Sequence, residues 1–348
     1  MALQQLLGIE LPIVQAPMAG VQGSALAAAV SGTGALGSLP CAMLSPDEVR
    51  DEVAAIRART DRPFNVNFFC HEMPVPDPER GRAWRDALHG YYRELGIDES
   101  AIPSGPARRP FGDEAAALLE ELRPPVVSFH FGLPAPKLVE RMKAIGARVL
   151  SSATTVDEAL WLEAHGADAI IAQGLDAGGH RGMFLARDLS SQLGTFALVA
   201  QVARAVKVPV IAAGGIADAS GVAAALALGA QGVQVGTSYL LCPEAKTSAV
   251  HRAALAASKA GKAGTTAVTN VFTGRPARAI VNRFVRELGP IAAQAPEFPL
   301  AAVDVAPLRA KAEAMGSGDF SPLWSGQNAS GCSEVPAAEL TRALAARR

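Results

Sequence analysis

Two histidines stand where the chain gives an imidazole room to meet a ligand. His180 lies in Gln173-Gly174-Leu175-Asp176-Ala177-Gly178-Gly179-His180-Arg181-Gly182, and glycines on both sides let that backbone pass over a bound ring. Imidazole titrates nearest neutral pH, so His180 is the natural general base or acid. His130, in Ser128-Phe129-His130-Phe131-Gly132-Leu133-Pro134, directly follows an apolar run and is the second candidate. His71, His89, His165 and His251 have no such surroundings and read as ordinary structural or surface residues. Asp176 is the only acidic side chain in the 173–182 stretch, too few for a mechanism built on paired carboxylates. Three or four convergent metal ligands are not apparent, so no metal is expected.

Two glycine-rich turns suggest a second chemistry. Ala213-Gly214-Gly215-Ile216 and Gly236-Thr237-Ser238 each follow an apolar run. Glycines there expose backbone N–H groups that a side chain would screen, and Thr237 and Ser238 add hydroxyls. Such donors hold a phosphate without a lysine. A sugar phosphate, flavin mononucleotide (FMN) or a nucleotide would fit equally.

These residues need a frame that brings distant turns to one rim. Eight short apolar runs supply it, at 13–16, 34–37, 64–68, 126–129, 148–151, 169–172, 208–212 and 232–235, with helical patterns between them. Continuous apolar strands are what a parallel sheet covered on both faces requires. The count and the alternation predict an α/β fold of the (β/α)8 barrel type, whose active site forms at the carboxyl ends of the strands. Ser45-Pro46-Asp47-Glu48 predicts a capped helix start. A long insertion follows strand three, at about 70–124, with Pro74, Pro76, Pro78, Pro103, Pro106 and Pro110 and helices expected over 79–95 and 113–122. The barrel is expected to occupy 1–242. The remainder, 243–348, reads as mostly helical, with a loop or turn region at about 268–284, packed on the barrel as a small subdomain.

Composition narrows the function. The 348 residues carry 32 Lys plus Arg against 33 Asp plus Glu, a net charge of −1, which speaks against a nucleic-acid binder. The densest basic cluster, Arg108-Arg109 among prolines, reads as a solvated loop. Cys41, Cys70, Cys242 and Cys332 form no C-x-x-C pair, as in a reduced cytoplasmic protein. No apolar run is long enough for a membrane span, and no signal peptide is visible. The Ala-rich helices and the C-terminal tail could support a homodimer, which nothing in the sequence demands.

Gln15-Ala16-Pro17-Met18-Ala19-Gly20, together with the 128–134 and 173–182 stretches, resembles the nitronate monooxygenases of the bacterial type, and the likeness runs on to Leu323-Trp324-Ser325-Gly326-Gln327. The resemblance implies an FMN-dependent barrel enzyme. In it an alkyl nitronate, such as propionate 3-nitronate, gives one electron to the flavin and dioxygen reacts next, without NAD(P)H. By the same resemblance Gln15, Ala16, Pro17 and Met18 would line the flavin ring. Asn67 and Gln173 would hydrogen-bond the ring or its ribityl chain. Gly178, Gly179, Gly214, Gly215, Gln234, Val235, Gly236 and Thr237 would hold the ribityl-phosphate end, and His180 and His130 would face the substrate. The chain has Asp176 where the family commonly has Glu, and Phe298 where relatives often have Tyr. Two alternatives stand beside this reading. One is an NAD(P)H-dependent FMN reductase of the same superfamily, acting on enoyl-acyl-carrier or quinone substrates. The other is a non-catalytic binder of FMN or another phosphate ligand.

Overall fold

The structure is a computed structural model that describes residues 2–102, 108–261 and 265–346. Pro103 and Pro106 of the predicted insertion lie outside the described residues. The strands are β1 Ile13–Gln15, β2 Gly37–Pro40, β3 Phe64–Phe69, β4 Val126–His130, β5 Arg148–Ala153, β6 Ala169–Gln173, β7 Gly179–His180, β8 Val210–Ala213, β9 Gly232–Val235, β10 Thr266–Thr269 and β11 Ala277–Ile280. The α-helices are α1 Ala2–Leu7, α2 Ser24–Ser31, α3 Pro46–Arg57, α4 Pro78–Leu95, α5 Asp113–Leu122, α6 Pro136–Ala144, α7 Val156–Ala164, α8 Thr195–Ala205, α9 Ala219–Ala227, α10 Ala249–Lys259, α11 Arg283–Leu288, α12 Ala301–Ala314 and α13 Ala337–Ala345.

Eight strands pair in parallel in the order β1-β9-β8-β6-β5-β4-β3-β2. The ring closes where the Gln15 N–H donates to the Leu36 carbonyl at 2.8 Å and the Leu36 N–H donates to the Ile13 carbonyl at 2.9 Å. This is the expected (β/α)8 barrel. Val14, Leu36, Val126, Leu150, Ile171 and Ile211 fill its lower interior, and Leu3 and Leu7 of α1 close the bottom. Each such fully buried aliphatic side chain contributes about 1.5–3 kcal/mol. The predicted cap of α3 is present: the Glu48 N–H donates to Ser45 Oγ at 3.3 Å, and the Ser45 N–H donates to Glu48 Oε2 at 2.7 Å.

Two expectations are corrected. The second strand begins at Gly37, not Gly34. Gly34, at φ +86°, makes a turn whose carbonyl accepts from Glu10 and Leu11 N–H groups, and only after it does the chain run extended. At Gly37 itself α2 crosses so closely that a Cβ would fall on the Ala27 carbonyl. The second correction concerns 268–284, of which only the 270–276 stretch is a turn. β10 and β11 form an antiparallel hairpin, and β11 pairs on its other edge with β7, setting Ala277 opposite His180.

The segment 243–348 does not stay together as one appended unit. Its last helix, α13, packs between α2 and α9 against β1, filling the helical layer of the barrel. Its middle part joins the insertion after β3 to form a second core. There Trp84, Leu88 and Tyr92 of α4 meet Phe284, Leu308 and Phe320, and Tyr92 Oη donates to the Asp304 carbonyl at 2.7 Å. This cap, drawn from two stretches of chain, covers one side of the barrel mouth.

Candidate active site

The carboxyl ends of the strands and the cap enclose a cavity of about 1270 Å3, mouth included. Of the residues expected in a site, Ala16, Pro17, Met18, Asn67, His130, Gln173, Gly178, Gly179, His180, Gly214, Gly215, Gln234, Gly236 and Thr237 line it. Gln15 and Val235 do not. The Gln15 amide is fully buried behind the wall, donating to Gln22 Oε1 at 2.7 Å and accepting the Ser38 N–H at 3.0 Å. The Val235 side chain points the other way along the alternating strand, into the core between barrel and helices.

His180 is held at both ends. Its carbonyl accepts Gln173 Nε2–H at 3.0 Å and His130 Nε2–H at 3.1 Å. Its ring nitrogen Nε2 lies 3.0 Å from Thr273 Oγ1, in the turn of the β10–β11 hairpin, and that hydroxyl in turn donates to the Arg275 carbonyl at 3.4 Å. Assigned from this chain of donors, Nε2 carries the proton and Nδ1 keeps its lone pair. Nδ1 has no protein partner among the described residues. The rings of Phe298 and Trp324 pack at 5.3 and 5.4 Å from the imidazole. Burial, followed by the charges of Arg108 and Arg275 and the neighbouring His130, holds the His180 pKa well below its ordinary value, so the ring is neutral at pH 7.

His130 differs. Both its nitrogens are engaged, Nε2 by the His180 carbonyl and Nδ1 by Ser152 Oγ at 3.1 Å. Burial pushes its pKa down to about 4. The ring braces His180, and both of its nitrogens meet protein groups on the cavity wall. Gln173 is committed in the same way: its Oε1 accepts the Gly182 N–H at 2.7 Å while its Nε2 grips His180. The stretch from Gly178 to Gly182 is thus clamped, with Gly179–His180 as strand β7. Arg181 completes the clamp from beneath, fully buried, donating to the Gly174 and Gln173 carbonyls at 2.6 and 2.8 Å.

Opposite this cluster lies the glycine cradle. A Cβ on Gly214, at φ +117°, would come within 2.6 Å of Thr195 Oγ1, and one on Gly178 would come within 2.5 Å of the Gly326 nitrogen. The N–H groups of Gly215, Ile216 and Gly236 donate to no protein acceptor among the described residues. Thr237 Oγ1 accepts the Gly326 N–H at 2.9 Å, and Asn328 Nδ2 donates to the Gly215 carbonyl at 3.0 Å, so the 326–328 segment walls this end. Gln234 Oε1 is buried on the cavity wall without a partner. Asp176 has a structural task, accepting the Thr195 N–H and Oγ1–H at 2.6 and 2.8 Å where α8 begins.

Sequence reasoning missed several wall residues. Arg108 lines the cavity instead of resting in solvent, although Arg109 is exposed as expected. His251 lines it too, donating from Nε2 to the Trp324 carbonyl at 3.0 Å. His71 is buried among Phe69, Phe131 and Phe298 with both ring nitrogens unpartnered, and its pKa is pushed down to about 4. Thr273 carried no motif at all.

Comparison with known proteins agrees with this arrangement. A family model described as nitronate monooxygenase matches residues 1–346. The nitronate monooxygenase of Pseudomonas aeruginosa is 44% identical over 343 residues, 98% of this chain and 97% of that protein. The solved structure of nitroalkane oxidase from Streptomyces ansochromogenes superposes with a TM-score of 0.89 at 40% identity, covering 99% of this chain and 97% of that one. FabK from Thermotoga maritima superposes less closely, with a TM-score of 0.68 at 29% identity, covering 98% of this chain and 94% of that one. A barrel built this way, matched over nearly its whole length, makes the chain an oxidoreductase that belongs to the nitronate monooxygenase family.

Proposed function

We propose that the protein binds FMN and oxidises alkyl nitronates with dioxygen, without a nicotinamide cofactor. The observation that carries this reading is the pairing of a glycine cradle for a phosphate with a buried, neutral histidine across one cavity. FMN fits the residues present. The N–H groups of Gly215, Ile216 and Gly236 would hold its phosphate, and Gly178 and Gly214 leave the space its chain needs. Ala16, Pro17 and Met18 would lie along the ring, and the unpartnered Gln234 Oε1 would accept a ring N–H. Asn67, whose amide donates to Ser128 Oγ at 2.9 Å, would stand at the ring edge. FMN held there would supply the one-electron redox chemistry between the nitronate and dioxygen.

The protein's own part is to bind, orient and exclude water. His180 presents Nδ1 as a fixed base toward the substrate space, able to take the acidic C–H proton when a neutral nitroalkane arrives. Thr273 fixes the tautomer, and His130 and Gln173 fix the backbone beneath it. The phenyl ring of Phe298 stands against His180 without a hydroxyl, so no phenol donor completes the pocket there. Purified protein should carry a flavin released as FMN on denaturation. It should consume dioxygen when propionate 3-nitronate is added with no nicotinamide present. A protein that binds FMN yet consumes no dioxygen with any alkyl nitronate contradicts the proposal. An NAD(P)H-dependent FMN reductase of the same superfamily is the second reading.

A further inference from the structure

A neutral His180 cannot offset the charge of an anionic substrate, and the cavity wall carries one group that can. Arg108 enters the cavity from within the insertion after β3, on a stretch tied to the end of that strand where the Phe111 N–H donates to the Phe69 carbonyl at 2.8 Å. Its guanidinium carbon lies 5.6 Å from the centre of the Phe298 ring, which itself packs 5.3 Å from His180. No carboxylate pairs with it among the described residues, and residues 1, 103–107, 262–264 and 347–348 contain no Asp or Glu. Its side chain also has no hydrogen-bond acceptor among the described residues. The neighbouring buried arginines do have partners. Arg275 donates to the Met183 carbonyl and stacks 3.9 Å over Phe131, and Arg181 is saturated by the end of β6. Desolvation and the nearby Arg309 lower the Arg108 pKa only to about 10, so it stays charged at neutral pH. A desolvated, unpaired guanidinium is unfavourable until an anion meets it.

The anion is not the one the cradle would hold. In the order of the ring, β8 and β9, which carry the cradle, lie across the barrel from β3 and β4, where Arg108, His180 and Phe298 gather. A phosphate seated at Gly215 and Gly236 therefore leaves Arg108 unpaired on the substrate side.

We propose that Arg108 is the anion site of the substrate pocket, pairing with the negative charge of the nitronate group and selecting it over the neutral nitroalkane. The assignment rests on the nitronate reading given above, and it names a specificity residue that this reading did not contain.

The test uses the FMN-loaded protein and the variants Arg108→Gln, Arg108→Lys and Arg109→Gln. Two constants are read for each: KM for propyl-1-nitronate, and the dissociation constant of nitrate, a planar oxyanion of the same charge, from the change in flavin absorbance. The inhibition or Michaelis constant of 1-nitropropane serves as the neutral reference. Loss of one charge-assisted contact predicts a rise of about 10- to 100-fold in both anion constants for Arg108→Gln. The 1-nitropropane constant should change less than about threefold, Arg108→Lys should recover most of the loss, and Arg109→Gln should match the parent. Equal shifts for anion and neutral compound, or no shift in either, overturn the proposal. So does a variant that loses flavin while its nitronate KM is unchanged, because Arg108 would then serve the cofactor. If the parent protein fails to oxidise nitronates, the functional reading falls. The nitrate titration still decides whether Arg108 binds anions. Thermal unfolding of each variant separates these outcomes from a loss of fold.

Discussion

In the proposed reaction His180 is the residue on which the chemistry turns, and its neighbours make a definite demand of it. A base that is neutral, desolvated and fixed by Thr273 matters most when a proton must leave carbon. His180→Asn should therefore lower kcat/KM for a neutral nitroalkane by about 100-fold or more, the usual scale of general-base catalysis. For a preformed nitronate, which has already lost that proton, the loss should stay under about tenfold. Normal turnover of both with flavin retained would remove His180 from the mechanism. The buried histidines also set an acid limit. His71, His130 and His251 have pKa values pushed down to about 4, so the fold keeps them neutral while the unfolded chain titrates near 6.5. Between those values the unfolded chain binds more protons. Stability is thus complete above about pH 6.5 and falls toward pH 4, by up to about 1.4 kcal/mol per pH unit for each histidine. Urea midpoints at pH 7.5 and pH 5.0 check this, and equal midpoints would contradict it. At this scale the sequence was legible wherever a functional group sat at a strand end among glycines, as for His180, Gly214 and Gly236. It was silent for Arg108 and His251, which line the cavity, and for Thr273, which meets the His180 ring, because each comes from a segment whose path is set by packing far from it in the chain.

The element that matters most is one the sequence concealed. β10 and β11 are four residues each, and β11 finds its second partner in β7 about 100 residues earlier, so no local period announces them. Yet this hairpin supplies Thr273 to His180 and Arg275 to the aromatic wall. Its turn depends on Gly274, at φ +84°, where a Cβ would strike the Pro296 carbonyl. Gly274→Ala should cost about 2–4 kcal/mol of stability, as a change at a strained and crowded site does, and should lower activity with it. Gly90→Ala, in the exposed interior of α4 where a Cβ meets nothing within 4 Å, should instead stabilise by about 0.5–1 kcal/mol. Chemical denaturation of both variants checks the pair; equal effects would place the hairpin outside the cooperative core. The barrel strands, by contrast, were readable because parallel strands covered on both faces must be apolar throughout.

The molecule as a whole is a closed barrel whose mouth is covered by two stretches of chain, the insertion after β3 and the excursion between β9 and α13. Their common core draws on both sides of residue 242: Trp84 and Phe284 share one cluster across 200 residues of sequence. It also explains the chemistry assigned here, because the cap carries Phe298 and Trp324 onto His180 and closes the substrate side from water. No helix among the described residues is long and apolar enough to cross a membrane. The central claim is that electrons enter from a nitronate and not from a nicotinamide, and one anaerobic measurement addresses it directly. Flavin absorbance is recorded without oxygen as propionate 3-nitronate is added to one sample and NADH or NADPH to another. The account predicts that the nitronate reduces the flavin and that the nicotinamides leave it oxidised. Bleaching by a nicotinamide with no response to the nitronate would contradict the account and place the reductase first.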